Sequence, residues 1–227
     1  MQTVYFETNE QKKLAAVQGM VEALGLQVTI EKLPVLQGPS FIPSTEARLG
    51  DIAVARAKAI YERVRRPIMV EESGYYIPAL NDFPGACTHY VLHTVGLGGI
   101  MQLMRQHQDR RCIWRSVVAY VDENRKLTVF EGEDQLGWLG DVYNDDGSAA
   151  TAPSFTADEE RPNPLWEVFI PENYDQALAT LPPTKLIQYF LSKQYQMAMG
   201  RFIGAALQQQ ELPPLTKQRE NTPTMTL

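Results

Sequence analysis

The sequence predicts a single α/β domain, and three observations carry that reading. A β-prone run at residues 3–6 passes through Thr8-Asn9 into a segment whose apolar residues recur at helical spacing. A second apolar run, Pro67-Ile68-Met69-Val70, follows another helical pattern and ends in Glu71-Glu72-Ser73-Gly74. Residues 112–140 are β-rich and contain a hairpin signal.

The elements follow in order. After the first strand, Leu14, Val17, Val21 and Leu24 mark one face of a helix that Gly25 stops. Residues 28–33 read as a second strand, and residues 37–45, with Gly, two Pro and Ser/Thr, as a loop ending in a cap near Ser44. A helix then runs to about Val64, with Leu49, Ile52, Ala53, Ala57 and Ile60 on one side. Residues 67–70 form a short buried strand, and a helix covers 98–107. Residues 112–121 make a long strand, 122–125 a turn, 127–130 the returning strand, and 132–140 continue the sheet. Residues 144–164 read as a long excursion and 165–170 as a further strand. One long helix is expected from Pro182-Pro183 to about Gln209. The domain therefore spans 1–210, and the polar, proline-bearing stretch 211–227 reads as a disordered tail.

Composition narrows the function classes. With 44% hydrophobic and 21% charged residues the chain is globular, which excludes bulk disorder. A net charge of −6 argues against nucleic acid or an anionic membrane as partner, so a polyanionic ligand would need a local basic pocket or a metal. No apolar run is long enough to span a bilayer, and the N-terminal residues pass into a strand rather than a secretory signal. Cys87 and Cys112 are too few for a disulfide framework and suit a reducing compartment, so a cytoplasmic protein is expected.

Three groups of residues have the chemistry of a site. Thr8-Asn9-x-x-Lys12 lies where a strand turns into a helix, so free backbone N–H groups and the positive end of the dipole face whatever binds there. The same residues also suit an ordinary Asn cap with a solvated lysine. Glu71-Glu72-Ser73-Gly74 sits at the carboxyl end of an apolar strand, the edge where open α/β sheets bind ligands. Adjacent carboxylates repel unless a cation joins them, and oxygen ligands suit Mg²⁺, with Mn²⁺ as the alternative, rather than zinc. A solvated acidic turn is the plainer reading. Asp51, on the preceding helix, either approaches the same point or pairs with Arg48 three residues earlier. Cys87-x-His89-x-x-x-His93 has soft-metal spacing without a fourth ligand, and packed or exposed histidines account for it better. No G-x-S-x-G elbow or Ser-His-Asp order supports acyl transfer.

Together these pieces resemble the inosine triphosphate pyrophosphatase family, whose members hydrolyse non-standard purine nucleoside triphosphates to monophosphate and pyrophosphate. That family opens with T-G-N-x-x-K, matched at Asn9 and Lys12 within Glu7-Thr8-Asn9-Glu10-Gln11-Lys12. Its helix with an acid and a basic residue five positions on matches Asp51 and Arg56. Its E/D-D-S/T-G/C motif is Glu71-Glu72-Ser73-Gly74, and its L-x-x-x-P-G element is Leu80-Asn81-Asp82-Phe83-Pro84-Gly85. A Gly-Leu helix and an F-x-G strand resemble residues 95–100 and Phe130-Glu131-Gly132. The aromatic-acidic motif is echoed by Leu165-Trp166-Glu167-Val168-Phe169-Ile170-Pro171, and S-H-R-x-x-A-L by residues 199–207, where Met199-Gly200-Arg201 stands for Ser-His-Arg. Both acids of the metal motif are Glu, and the further Glu of some members is absent from Pro34-Val35-Leu36-Gln37, with Glu46 or Asp51 as substitutes.

The resemblance implies an elongated α/β domain, with a twisted mixed sheet, flanking helices and a central cleft between two lobes, in a homodimer. It implies Mg²⁺ held by Glu72 with Glu71 or Asp51 assisting, and Glu72 as the catalytic residue. Thr8, Asn9, Lys12 and Ser73 would bind phosphates. Trp166 and Glu167 would wall the base, and Arg201 would contact base or phosphate. The alternatives are a nucleotide-binding module of the same fold with weak or no catalysis, or a pyrophosphatase for a different nucleotide.

Overall fold

The computed structural model describes residues 2–8, 11–33, 48–140, 164–193 and 196–208. The expected loop at 37–45 with its cap at Ser44, nearly all of the excursion at 144–164, and the expected tail at 211–227 lie outside these residues. The strands are β1 (Gln2–Glu7), β2 (Val28–Leu33), β3 (Ile68–Ile77), β4 (Phe83–Gly85), β5 (Arg111–Val121), β6 (Leu127–Glu131), β7 (Gln135–Leu139) and β8 (Phe169–Pro171). The helices are α1 (Gln11–Ala23), α2 (Leu49–Val64), α3 (Thr88–Thr94), α4 (Gly96–Met104), α5 (Pro183–Ser192) and α6 (Ala198–Phe202). Among the described residues one eight-stranded sheet forms, in the order β2-β1-β3-β5-β7-β8, with β4 on β3 and β6 on β5. β2, β1 and β3 are parallel, and the partners of β5 are all antiparallel to it, so the sheet is mixed.

Side chains alternate across β3 and sort the core into faces. Ile68 and Val70 pack under α2 with Ala53, Ala57 and Ile60. Met69 packs on the other face with Leu14 and Val17 of α1 and Phe202 of α6. Further along that second face, Tyr75 and Trp114 join a separate cluster with α3, α4, α5 and Phe169 of β8. Between these two clusters, on the same face, lies a polar row of Glu71, Ser73 and Ser116, with Ser73 directly opposite Ser116. This row separates two apolar lobes.

Four sequence expectations change. The strand at 67–70 does not stop at Glu71, because Glu71, Glu72, Ser73 and Gly74 all pair with β5 and β3 runs on to Ile77. The helix expected from 182 to 209 is broken: α5 ends at Ser192, Met197 is extended, and α6 starts at Ala198, followed by a π turn over Ile203–Leu207. The break has tertiary causes, since Glu133 N–H donates to Gln196 O at 2.6 Å and Ala198 N–H to Ser116 Oγ at 3.4 Å. Residues 164–167 form a 3₁₀ turn, leaving a strand only over Phe169–Pro171. α3 is a helix that residues 88–94 did not announce, and α4 starts at Gly96 rather than 98. None of the described helices is long and apolar enough to cross a membrane.

Candidate functional site

The last pair between β1 and β3 is Phe6 with Met69, yet β3 continues for eight residues beyond it. Among the described residues, the flank of β3 towards β1 has no strand partner over residues 70–74, until β4 takes that edge at Tyr75–Ile77. This gap lies just beyond the carboxyl ends of β1 and β2, the edge at which such sheets take ligands. The charged residues of β1, β3, α1 and α2 gather around this opening.

On the α2 face Arg56 bridges two carboxylates. Its Nη2 donates to Glu7 Oε2 at 2.5 Å, and its Nη1 to Glu72 Oε1. The Glu7 side chain is only 4% exposed, so its charge depends on this guanidinium. Burial raises the Glu7 carboxyl above the usual carboxylate range, with Arg56 pulling the other way. Burial also raises Glu72, opposed mainly by Arg56 and reinforced by the neighbouring charge of Glu71. Arg56 loses by burial but gains more from Glu72 and Glu7, and stays a firm cation.

On the opposite face Lys13 Nζ donates to Glu71 Oε2 at 2.6 Å. Three acids (Glu7, Glu71, Glu72) against two bases (Lys13, Arg56) leave one net negative charge in the group. The two glutamates of the motif therefore do not converge. The pleat sends them to different helices, each with its own cation.

The structure places the other sequence-derived residues as follows. Thr8 is buried where β1 gives way to α1, and its backbone N–H donates to Leu33 O at 3.2 Å. Asn9 lies outside the described residues. Lys12 is the second residue of α1; its side chain is likewise outside the described set. Ser73 stands opposite Ser116, whose hydroxyl accepts from the first residue of α6, so the strand pair carrying Ser73 also anchors the helix carrying Arg201. Gly132 permits this docking: a Cβ there would lie 2.8 Å from Ala198 N. Gly74 is required by β4, since its Cβ would lie 2.4 Å from Gly85 O. Trp166 leans on Trp114 at 6.1 Å and Phe190 at 5.8 Å between ring centroids, and half-buried Glu167 follows it in the same 3₁₀ turn. Trp166 thus borders the far lobe on the face shared by Ser73. Cys87 precedes α3 and His89 and His93 lie on it.

Asp51 is not among the acids that meet Arg56. It is exposed and accepts from the Arg48 guanidinium at 3.1 Å, the pairing that their spacing also offered, and Arg48 holds its carboxyl below the usual range. Glu7 occupies the place beside Arg56. Sequence reasoning assigned nothing to Glu7, Lys13 or Ser116. A signal for Glu7 existed, because alternation in β1 puts Tyr5 and Glu7 on the face opposite the core residues Val4 and Phe6.

All the acids here are oxygen donors, which suits Mg²⁺ chemistry. Among the described residues no three His, Cys, Asp or Glu side chains form a metal cage. Magnesium does not need one, since it is commonly held by one or two carboxylates and completed by water and phosphate oxygens. The donor set fits that arrangement through Glu72.

Comparison with known proteins bears on the family and the fold. The model of the Ham1 family matches residues 4–186. A protein named dITP/XTP pyrophosphatase from Thermococcus kodakarensis is 29% identical over 182 residues, covering 78% of this chain and 83% of that one. Another protein of the same name, from Methanosarcina acetivorans, is 29% identical over 134 residues, covering 58% and 68%. Among solved structures, a HAM1 protein from Coxiella burnetii superposes with a TM-score of 0.62 at 15% identity, over 92% of this chain and all of that one. At that identity the likeness concerns the fold.

Proposed function

The chain belongs to the Ham1 family, and on that basis we propose that it is a nucleoside triphosphate pyrophosphohydrolase acting on ITP-, dITP- or XTP-like substrates. The observation that carries the reading is the Glu7–Arg56–Glu72 bridge where β1 ends, across β3 from the Lys13–Glu71 pair of α1. Relatives named dITP/XTP pyrophosphatase support the choice of substrate.

In this mechanism the triphosphate lies across the opening. Backbone N–H groups at the start of α1, with Thr8, Asn9 and Lys12, hold its phosphate oxygens. Ser73 binds a further phosphate oxygen from the polar row. Trp166 and Glu167 wall the base, and Arg201 approaches from α6. Mg²⁺, or Mn²⁺, bound through Glu72 would neutralise the triphosphate and polarise the phosphoryl group. Glu72 orients a water and takes its proton while the water oxygen bonds to the α-phosphorus. The bond from that phosphorus to the bridging oxygen breaks, and pyrophosphate leaves with the oxygen. The same reading includes a cytoplasmic homodimer.

Pyrophosphate release from a panel of ITP, dITP, XTP, ATP and GTP, with and without Mg²⁺, tests it. Release from ITP, dITP and XTP that disappears with chelator, with little from ATP or GTP, is the expected result. A second reading, a nucleotide-binding module with weak catalysis, is favoured by Met199-Gly200 in place of Ser-His. It predicts binding of the same nucleotides without release.

A further inference from the structure

We propose that Glu7 is a positioning residue that makes Glu72 available to a divalent cation by holding Arg56 in place of it; the proposal rests on the metal-dependent reading above. The family pattern has Thr where this chain has Glu7, so the residue is a departure that needs its own account. Arg56 divides its two terminal nitrogens between Glu7 and Glu72, which come from neighbouring parallel strands. Less of the Glu7 side chain is exposed, 4% against 18% for Glu72. In this proposal Glu7 is the fixed counterion, and Glu72, with more of its side chain exposed, is the one that turns.

The consequence follows from charge balance. When Glu72 turns to a cation, Arg56 keeps Glu7 and is not left as a half-buried, uncompensated guanidinium. Without Glu7, turning Glu72 away would strip Arg56 of its whole counterion, so Arg56 would grip Glu72 and compete with the metal. A glutamate that never touches the cation would in this way set the affinity for it.

The test is Mn²⁺ titration of the substrate-free protein, with free Mn²⁺ read by electron paramagnetic resonance. Glu7→Gln should weaken Mn²⁺ binding about ten- to a hundredfold, the range expected when a partner of a metal ligand is lost. Glu7→Asp, which keeps the charge, should stay close to wild type. In an Arg56→Gln background, adding Glu7→Gln should change the affinity little, because the effect runs through Arg56. Equal loss in both backgrounds would reduce Glu7 to a distant charge and overturn the proposal. If Glu7→Gln does not fold, Arg56→Gln alone decides: freeing Glu72 should tighten Mn²⁺ binding, and unchanged or weaker binding overturns the idea. Wild type that takes up no Mn²⁺ would overturn the metal-dependent reading together with the proposal. Mn²⁺ affinity that is the same in wild type and a folded Glu7→Gln overturns the proposal alone.

Discussion

Glu71 and Glu72 are neighbours in β3, yet their carboxylates serve opposite faces of the sheet, one paired with Lys13 of α1 and the other with Arg56 of α2. A motif of two acids side by side reads as a shared ligand pair only while it is taken for a turn. As part of a paired strand it delivers one acid to each side. The two positions should consequently differ in what their loss does.

Glu72→Gln should lower kcat by about 10²- to 10⁴-fold, the usual worth of a positioned acid–base group, while circular dichroism shows the fold intact. Glu71→Gln should lower kcat far less and act on stability through Lys13. Equal kcat losses in the two variants, measured by pyrophosphate release, would contradict the division of roles.

Much of this arrangement was legible in the chain. The opening strand and helix follow from the 3.6-residue spacing of Leu14, Val17 and Val21, all three of which are buried. The β5–β6 hairpin follows from the turn signal at 122–125 between apolar runs. What was not legible depends on partners far along the chain. Glu71 to Gly74 remain in a strand because β5, some 40 residues on, supplies their hydrogen bonds. The break before α6 depends on Ser116 and Glu133, which no local pattern in residues 183–207 announces. Glu7 resembles a solvated strand end until Arg56, 49 residues away, is seen to cover it. Resemblance to a family supplied the functional assignment, and hydrogen-bond geometry identified the two acids beside Arg56.

Gly132 should prove structurally strict. Its added Cβ would meet backbone at Ala198 N and Gln196 O, which cannot rotate away. Gly132→Ala should therefore cost roughly 1–3 kcal/mol and lower Tm by several degrees. It should also raise KM, because Arg201 rides on the displaced α6. Gly19, mid-helix with nothing within 4 Å of its Cβ position, is the control. Gly19→Ala should leave KM alone and stabilise by up to about 1 kcal/mol. Thermal denaturation and substrate titration of both variants check the contrast.

Tyr120 gives a pH signature away from the site. Burial, then repulsion from Glu123 and Asp122, pushes its phenol up to about 12, against the hydrogen bond from Gln2. An acid raised in the folded state keeps its proton after the unfolded chain has released its own. Stability should thus be unaffected below pH 10 and fall as pH rises from 10 towards 12. Tyr120→Phe removes that group's share, up to about 2 kcal/mol across the window. Tyr75 and Tyr189 are shifted the same way and remain in both proteins. Urea denaturation at pH 8, 10 and 11.5 should show wild type losing more stability than Tyr120→Phe, and parallel losses would contradict the assignment.

The two lysines of the first turn of α1 separate phosphate binding from structure. Lys13 neutralises Glu71, whose side chain is 7% exposed, while Lys13 itself is 30% exposed. Lys13→Ala leaves that carboxylate uncompensated and should cost roughly 2–4 kcal/mol of stability, below the figure for a fully buried pair. Lys12 sits one residue earlier, about 100° round the helix, where the dipole gives a lysine no advantage. Lys12→Ala should therefore leave Tm nearly unchanged. If Lys12 reaches the triphosphate, its removal takes away a charge-assisted contact of roughly 1.5–3 kcal/mol, and triphosphate affinity should drop about ten- to a hundredfold. A nucleoside without phosphates should then bind both proteins alike, because such a lysine would touch no part of the base. Calorimetric titration of a triphosphate and its nucleoside against wild type, Lys12→Ala and Lys13→Ala reads all of these at once. Unchanged triphosphate affinity in Lys12→Ala would take Lys12 out of the site and leave the backbone N–H groups of α1 as the phosphate ligands there.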